Sequence, residues 1–312
     1  MKNILLLGGT GFVGRHVCAK LAQQEIAVTV STRRASRARS LRTLPRLTVA
    51  EVDVHDEAAL TRCLAGHDAV VNLVAILHGD AAAFERTHVQ LPQTLARACA
   101  AAGVARVLHV SALGAAADAP SLYQRSKAAG EAALLAAPLS LTVLRPSVVF
   151  GAEDQFLDLF AQLQRWLPLL PLAGAACQFQ PVWVEDVAQA LVNALLQRKT
   201  GTYEACGPQV FSLRQLVQLA GQWSGHPRPV LELPPGLGRL QAQAMEWLPG
   251  PTLMSRDNAL SLQSDNIASG ELPGLTALGI TPTALEAVAP AYLAGWGPRS
   301  GLLGLRTMAG RG

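Results

Sequence analysis

The chain of 312 residues is long enough for one large domain or two modest ones, and either would bury a substantial core. Its composition is dry, with 15% charged and 50% hydrophobic residues, against roughly 25% charged residues in an average globular protein. The net charge of +4 is not accompanied by an aromatic-interleaved basic strand, a zinc-finger spacing or a recognition-helix pattern, which argues against a nucleic-acid partner.

The sequence also restricts the cellular context. The five cysteines lie far apart and include no Cys-x-x-Cys pair, so they predict neither disulfides nor a metal site. The first predicted strand opens the chain and leaves no room for a signal or transit peptide. Prolines interrupt the long uncharged stretch at 166–184, so no transmembrane helix is expected. The expected location is a reducing cytoplasm, with peripheral association at the inner membrane as the alternative.

The first predicted strand, at 3–7, runs into a glycine-rich turn and then into a helix at 12–23. Gly8 permits a tight turn, Gly11 lets the backbone approach a pyrophosphate, and Gly14 lets the helix pack closely on the strand. The start of the helix adds free N–H groups and a partial positive charge. This context predicts a dinucleotide site, against the alternative of an ordinary glycine-rich turn. The predicted cofactor contacts here are Gly8, Thr10, Gly11, Phe12, Val13 and Gly14.

Strands and helices alternate through residue 150. Further strands are predicted at 27–31, 47–51, 69–74, 106–110 and 141–145, and further helices at 57–65, 84–102 and 123–136. Apolar strands separated by helices indicate a parallel sheet that is covered on both faces. The predicted fold class is therefore α/β, a Rossmann doubly wound sheet that binds its ligand at the carboxyl ends of the strands.

The second predicted strand ends in Thr32, Arg33 and Arg34. Dinucleotide folds that bind NAD place an acidic residue there for the ribose 2′-hydroxyl, whereas arginine suits a 2′-phosphate. These residues predict that NADP(H) is favoured over NAD(H). The alternative is a solvated basic loop.

Two further strand ends are expected to line the cofactor. Asp53 and Val54 follow the third strand, and Asp53 is placed to accept a hydrogen bond from the adenine amino group. Asp53 could equally cap the helix that starts near Glu57, for which Asp56 is the other candidate. The residues expected to line the cofactor after the fourth strand are Asn72, Val74 and Ala75.

Tyr123 and Lys127 form the second strong pattern. Helical residues at this spacing lie one turn apart, so the ammonium is expected near the phenol. The cation favours the phenolate and is expected to bring the tyrosine pKa down from about ten towards a useful acid–base range. The chain holds only three Tyr and four Lys, so a chance pair at this spacing is rare. Ser111, at the end of the fifth strand, is placed to orient a substrate oxygen or the tyrosine hydroxyl.

After Gly151 prolines become frequent and strand signals thin out. One strand candidate remains at 202–205, where it can join the main sheet, and Ser212 with Gln215 predicts a capping box at a helix start. The expected domains are a nucleotide-binding domain at 1–150, a smaller, mainly helical C-terminal lobe for substrate or partner at 151–295, and a flexible tail at 296–312.

In chain order the sequence contains GGTGFVG, NLVA, HVSALGA, YQRSK, LRPSVVFG and QPVWVEDVA. With these motifs, over about residues 1–265, the chain resembles the atypical short-chain dehydrogenase/reductase superfamily, which is epimerase/dehydratase-like. More narrowly it resembles the bacterial relatives of the dehydrogenase-like accessory subunit of respiratory complex I. The resemblance implies a Rossmann fold with bound NADP(H), in which Tyr123 and Lys127 take the catalytic positions. It also implies that Pro146 to Val149 flank the nicotinamide.

One departure from that family leaves two functions open. Extended members place a longer, substrate-binding segment between the serine and the tyrosine, whereas eleven residues separate Ser111 from Tyr123 here. The first hypothesis, favoured by the presence of Tyr123 and Lys127, is an NADP(H)-dependent oxidoreductase. Its substrate is expected to be apolar or quinone-like, because Asp158 and Arg165 are the only charged residues in 155–184. The second is a nucleotide-braced accessory or assembly factor for complex I or quinone metabolism, since the mitochondrial relative is regarded as structural.

Overall fold

The computed structural model describes residues 1–234, 236–237 and 255–296. The described residues form two compact units, each with more contacts within itself than with the other. The first unit consists of 1–147, 184–206 and 268–282, and the second holds the described parts of 148–183, 207–267 and 283–312. The chain thus returns to the first unit twice, which differs from the consecutive domains that composition predicts. The predicted tail at 296–312 lies outside the described residues, apart from Trp296.

The first unit is built on one sheet, in which the described residues contribute seven parallel strands. Six of them are β1 (Asn3–Leu7), β2 (Ala27–Thr32), β3 (Leu47–Glu51), β4 (Ala69–Asn72), β5 (Arg106–Val110) and β6 (Ser140–Pro146). The seventh, the edge strand (Gly201–Ala205), pairs with β6, so that the spatial order is edge strand, β6, β5, β4, β1, β2, β3. This confirms the predicted α/β, doubly wound Rossmann fold, whose order reverses between β1 and β4.

The helices of the first unit follow the apolar periodicity of the sequence. They are α1 (Phe12–Gln23), α2 (Glu57–Leu64), a helix with α-helical ends Ala81–Phe84 and Leu91–Ala102, the Tyr123 helix (Leu122–Leu135), and Val184–Leu196. A π-helical stretch, the π turn (Glu85–Gln90), lies between those two ends, so this helix starts earlier than the predicted 84–102 and is irregular. Strands such as β1 and β4 are buried on both faces, as continuous apolar runs require.

The edge strand is anchored to the sheet by a buried arginine of β5. The Arg106 guanidinium donates to the backbone oxygens of Ser140 at 2.8 Å, Ala194 at 2.9 Å and Lys199 at 2.6 Å, and to the hydroxyl of Thr142 at 2.8 Å. A buried cation is costly unless its N–H groups are hydrogen-bonded. The carbonyls of Ala194 and Lys199 supply part of this bonding, so the segment before the edge strand is fixed to β5.

The second unit is mainly helical, with helices Leu157–Trp166, Leu213–Trp223, Arg256–Ser261 and Leu285–Leu293. Short strands pair as Val149–Phe150 with Val182–Trp183, Gln178–Phe179 with Phe211–Ser212, and Leu170–Ala173 with Val230–Leu233. These strands are too short for an alternating pattern to stand out, which is why the sequence does not predict them. The capping box of Ser212 and Gln215 is present as predicted.

Candidate functional site

The glycine-rich turn after β1 has the geometry that its sequence predicts. Gly8 has a φ of +81°, and its carbonyl accepts the Gly11 N–H at 3.0 Å. A Cβ on Gly14 would lie 2.5 Å from the Gly8 oxygen, so only glycine lets α1 pack this close. Gly11 is the N-cap of α1 without a side-chain cap, and no acidic residue lies in the first turn. The N–H groups at the start of α1 are therefore oriented for an anion.

The segment after β4 packs directly on this turn. A Cβ on Gly8 would lie 3.0 Å from the backbone carbon of Leu73 and 3.1 Å from the nitrogen of Val74. Asn72 fixes the segment, because its side-chain oxygen accepts the Val74 N–H at 3.1 Å. Val74 thus adjoins the glycine turn, and Ala75 is exposed beyond it. Thr10, Phe12 and Val13, the other predicted contacts of the turn, are partly buried.

A cleft of about 530 Å³ lies beyond the ends of β2, β3 and β4. Its lining consists of Arg33, Asp53, His55, Ile76, His78, Ala82, Ala83, Arg86 and Thr87. Arg33 and Asp53 therefore line the same cleft, as expected for residues that hold the two sides of an adenosine. Three predicted neighbours do not line this cleft: Val54 packs into the core, Thr32 is buried, and the Arg34 backbone bonds to the Thr32 hydroxyl.

The charge of the cleft is predominantly positive. Burial lowers the pKa of His55, and the Arg86 and Arg33 guanidinium groups lower it further, while Asp53 opposes them. Both cations therefore act on His55. Arg86 and His55 were not singled out by the sequence, because Arg86 comes from the π turn and follows an alanine run that carries no binding motif.

The structure decides which aspartate caps α2, the alternative role for Asp53. Asp56 is the N-cap, and its side chain accepts the Ala59 N–H at 3.0 Å. Asp53 instead accepts the His55 N–H at 3.0 Å through one oxygen of its carboxylate, and it lines the cleft.

Lys127 reaches from the Tyr123 helix to the end of β5. Its ammonium donates to the backbone oxygen of Val110 at 2.8 Å, next to Ser111, and the side chain is fully buried. The buried hydroxyl of Ser111 has no hydrogen-bond partner among the described residues. Lys127 and Ser111 therefore lie at the same strand end, and Tyr123 lies one turn before Lys127 on its helix.

The expected lowering of the tyrosine pKa is wrong for this geometry. Burial raises the pKa of Tyr123 to about 12, and burial lowers the pKa of Lys127 to about 8 against the opposing charge of Glu131. Desolvation outweighs the attraction of the nearby cation, whose proton is directed at Val110. At neutral pH the phenol carries its proton, so it is set up to donate it.

His88, in the π turn, is a buried residue that the sequence does not reveal. Its Nε2 accepts the N–H of Ile76 at 3.1 Å, and its Nδ1 lies 2.9 Å from the hydroxyl of Ser126. That hydroxyl donates to the backbone oxygen of Tyr123 at 2.8 Å. Burial, followed by the charge of Lys127, lowers the pKa of His88 to about 3, so the ring is neutral. His88 thereby links the segment after β4 to the Tyr123 helix.

A second buried histidine faces the same strand ends. The Asn72 side-chain nitrogen lies 3.2 Å from Nδ1 of His109, and burial lowers the pKa of this imidazole well below its ordinary value. Donation by the amide leaves the proton on Nε2, which has no partner among the described residues. His109 of β5 and Ser111 directly after it thus present two buried polar atoms without a partner among the described residues, and with the uncapped start of α1 they fit a nicotinamide dinucleotide.

The short segment between Ser111 and Tyr123 is compact. Leu113 donates its N–H to the Pro146 oxygen at 2.9 Å, and Ser121 caps the Tyr123 helix. Pro146, predicted to flank the nicotinamide, thus adjoins this segment. Val149, its predicted companion, belongs to a short strand of the second unit.

The described residues offer neither a metal cluster nor a membrane-spanning helix. No cluster of three or more His, Cys, Asp or Glu side chains that could hold a metal occurs in the part of the chain that the structure describes. Within those same residues, no helix is long and apolar enough to cross a membrane.

Known proteins resemble this chain in sequence and in structure. Residues 4–206 match the NAD dependent epimerase/dehydratase family. The chain is 30% identical over 293 residues to the mitochondrial NADH dehydrogenase (ubiquinone) 1 alpha subcomplex subunit 9 of Mus musculus, covering 90% of this chain and 77% of that protein. It is 33% identical over 191 residues to the ceramide reductase of Caulobacter vibrioides, covering 61% of this chain and 59% of that protein.

Solved structures agree with the fold. The dTDP-glucose 4,6-dehydratase DesIV of Streptomyces venezuelae, crystallised with NAD, has a TM-score of 0.73 at 21% identity. The superposition covers 96% of this chain and 99% of that one.

Proposed function

Because the chain belongs to the NAD dependent epimerase/dehydratase family, we propose that it is an NADP(H)-dependent oxidoreductase acting on a carbonyl or hydroxyl group of an apolar, quinone-like or lipid-like compound. One observation carries this proposal: the buried ammonium of Lys127 extends from the helix of Tyr123 to the strand end where Ser111 has an unsatisfied hydroxyl. A lysine this deeply buried costs stability, and a catalytic or cofactor-holding role accounts for that cost.

Each of the three residues has a separate role in the proposed reduction of a carbonyl group. Bound NADPH would supply the hydride. Ser111 holds the substrate oxygen, and Tyr123, whose pKa is about 12, delivers a proton to that oxygen. Lys127, charged below its pKa of about 8, holds the nicotinamide ribose and stabilises the phenolate that remains. In the oxidative direction the same residues act in reverse.

The preference for NADP(H) is supported by the cleft at the adenosine end. Arg33 and Arg86 both line it, and a 2′-phosphate would pair with their guanidinium groups, whereas a hydroxyl would leave them unpaired. Asp53 at the same cleft is available to the adenine amino group.

An apolar substrate is supported by the composition of the second unit and by one relative. From residue 159 to residue 183 the only charged side chain is Arg165, which offers little to a sugar diphosphate. The similar Caulobacter vibrioides protein is named a ceramide reductase, and ceramide is a lipid. The compact segment between Ser111 and Tyr123 leaves less chain for recognising a large polar substrate.

The second candidate is an accessory or assembly role for complex I or quinone metabolism, with NADP(H) as a permanent brace. It is favoured by the similarity to the mouse NADH dehydrogenase (ubiquinone) subunit, which spans 90% of this chain. Under either candidate, we place the protein in the cytoplasm or peripherally at the inner membrane.

Tyr123→Phe separates the two candidates. For the oxidoreductase, the variant keeps NADPH binding and loses most turnover of quinones or long-chain keto lipids, since a positioned acid contributes roughly 10²–10⁴ in rate. Tyr203→Phe, at a buried tyrosine whose hydroxyl donates to Thr200, is the matched control and keeps activity. Lys127→Met loses both binding and turnover.

The physiological readout is complementation of a deletion strain, scored by respiratory NADH oxidation and quinone content. Failure of Tyr123→Phe to complement, with Tyr203→Phe complementing, supports catalysis. Full rescue by Tyr123→Phe, combined with failure of a variant that cannot bind nucleotide, rules out catalysis at this tyrosine and favours the accessory role. Native mass spectrometry of the purified protein identifies the nucleotide that accompanies it.

A further inference from the structure

Two neighbouring segments of the second unit expose large apolar side chains. Residues 165–169 read Arg-Trp-Leu-Pro-Leu, and residues 227–231 read Pro-Arg-Pro-Val-Leu. The side chain of Trp166 is 78% exposed, and Leu231 is 50% exposed. An exposed tryptophan among exposed leucines is unusual on a protein surface and marks an interaction site.

The two segments lie side by side on a rigid support. The N–H of Leu170 donates to the Pro229 oxygen at 3.0 Å, and the strands that follow are paired with Leu231 opposite Pro171. Leu170 and its partner Val230 pack on the core, whereas Leu231 and Leu169 are exposed and Pro171 is partly exposed. We call this surface the Trp166 face; it consists of Trp166, Leu167, Leu169, Pro171 and Leu231.

A buried glutamine, Gln164, connects the two segments of the face to each other and to the helix Leu213–Trp223. The side chain of Gln164 donates to the Val217 oxygen at 2.8 Å, and Gln164 accepts from the backbone N–H and Nε of Arg228. The two segments of the Trp166 face are therefore tied to each other and to the core, and the face is exposed among the residues that the structure describes.

The charge around the face is positive. The Arg165 guanidinium lies over the Trp166 ring, 5.5 Å from its centroid, and Arg228 is exposed on the second segment. Neither 159–183 nor 207–231 contains an aspartate or glutamate. The next carboxylate along the chain, Glu232, is neutralised by Arg214 at 2.6 Å.

We propose that the Trp166 face docks the protein on the surface of an anionic phospholipid bilayer. Tryptophan and leucine insert at the boundary between headgroups and acyl chains, while arginines pair with lipid phosphates. A second copy of the chain is a poorer occupant, since a two-fold contact would bring the same cations together with no carboxylate of the face to pair them. The proposal does not depend on turnover at Tyr123.

The test uses the full-length protein and vesicles of phosphatidylcholine, alone or mixed with phosphatidylglycerol, in a co-sedimentation assay. Wild type binds the mixed vesicles, and the bound fraction falls with added salt. Trp166→Ser with Leu231→Ser lowers the partition coefficient about tenfold or more, because the inserted apolar area is lost. Arg165→Gln lowers binding to the mixed vesicles only.

Leu135→Ser is the matched control, since Leu135 is an exposed leucine of the first unit, and it leaves vesicle binding unchanged. Circular dichroism and NADPH titration show whether each variant is folded. Vesicle binding that the Trp166 and Leu231 changes leave intact overturns the proposal, as does the absence of vesicle binding in wild type. It is equally overturned if sedimentation velocity without lipid shows a dimer that those changes dissociate, because the face is then an interface between copies.

Discussion

The imidazole of His88 meets the phenol ring of Tyr123 edge to face, with the ring centroids 5.5 Å apart. Phe84 contacts the same phenol from the preceding turn, with centroids 6.2 Å apart. The hydroxyl of Ser126 closes the arrangement by joining His88 to the Tyr123 backbone. The position of the phenol is thus supported by a neutral histidine, and protonation of His88 at Nε2 would remove the acceptor of the Ile76 N–H.

We predict that His88 makes the fold sensitive to acid. Its pKa is about 3 in the folded protein against an ordinary 6.5, so the unfolded chain binds the extra proton between these values. Stability is therefore fully present above pH 6.5 and is lost as the pH falls below it, by up to about 1.4 kcal/mol per pH unit. His88→Gln reduces this slope in urea unfolding curves measured between pH 7 and pH 5.

Ser126→Ala is the control for that slope. It removes the hydrogen bond to His88 and costs about 1 kcal/mol, but it leaves the titrating imidazole in place and so keeps the slope of wild type. The same slope in His88→Gln as in wild type would show that His88 does not contribute to acid sensitivity.

We also predict that NADPH binds more tightly than NADH, through Arg33 and Arg86. Replacing either arginine with alanine removes one charge-assisted pair and weakens NADPH binding by about 1.5–3 kcal/mol, while NADH binding barely changes. Isothermal titration calorimetry with both cofactors measures this difference. Arg39→Ala, an exposed arginine that is not part of the cleft, is the control. Equal affinity of wild type for the two cofactors contradicts the prediction.

Gly11→Val is predicted to abolish nucleotide binding without unfolding the protein. Gly11 has a φ of −77°, which a side chain tolerates, and an added Cβ would meet the Gly8 oxygen at 3.2 Å. The rest of the side chain occupies the space where the pyrophosphate approaches the backbone. Gly14→Ala makes a useful contrast, because its Cβ would lie 2.5 Å from the Gly8 oxygen and so destabilises the fold itself.

Thermal unfolding and NADPH titration of both variants check this pair. A folded Gly11→Val protein with wild-type affinity would mean that the turn does not hold the pyrophosphate.

Lys127 should give NADPH binding a pH dependence on the alkaline side. Because burial lowers its pKa to about 8 in the free protein, the ammonium is lost as the pH rises through that value, and binding then requires proton uptake. Affinity is therefore highest below pH 8 and declines above it. Titrations in buffers of different ionisation enthalpy detect the proton taken up. Lys127→Met binds weakly at every pH, and a pH-independent wild type would exclude this role of the ammonium.

Much of the fold was predictable because its strands are long and apolar. The runs at β1 and β5 leave little choice of structure, and Gly8 and Gly14 identify a turn that few other sequences permit. The π turn could not be predicted, since an extra residue in a helical turn leaves the apolar pattern of the sequence almost unchanged. Arg86, His88 and their contacts depend on that turn, so the sequence did not identify them.

The direction of the Tyr123 pKa shift could not be predicted from the sequence either. The spacing of Tyr123 and Lys127 correctly places the two on one helix, but the sign of the shift depends on how far burial outweighs the nearby charge. Burial of a particular phenol is set by residues distant in sequence, such as Phe84 and His88. Spacing alone contains no information about them.

The late position of the edge strand in the chain has a consequence for synthesis. A nascent chain that has reached residue 150 has β6 complete, yet the edge strand (Gly201–Ala205) that covers it is still to come. Until then β6 exposes an unpaired backbone edge, which invites association with other chains. The Arg106 guanidinium likewise lacks two of its acceptors, the carbonyls of Ala194 and Lys199, until those residues have been synthesised. Folding of the first unit therefore cannot finish as its strands emerge in order from the ribosome, and it depends on pairing over a long sequence separation.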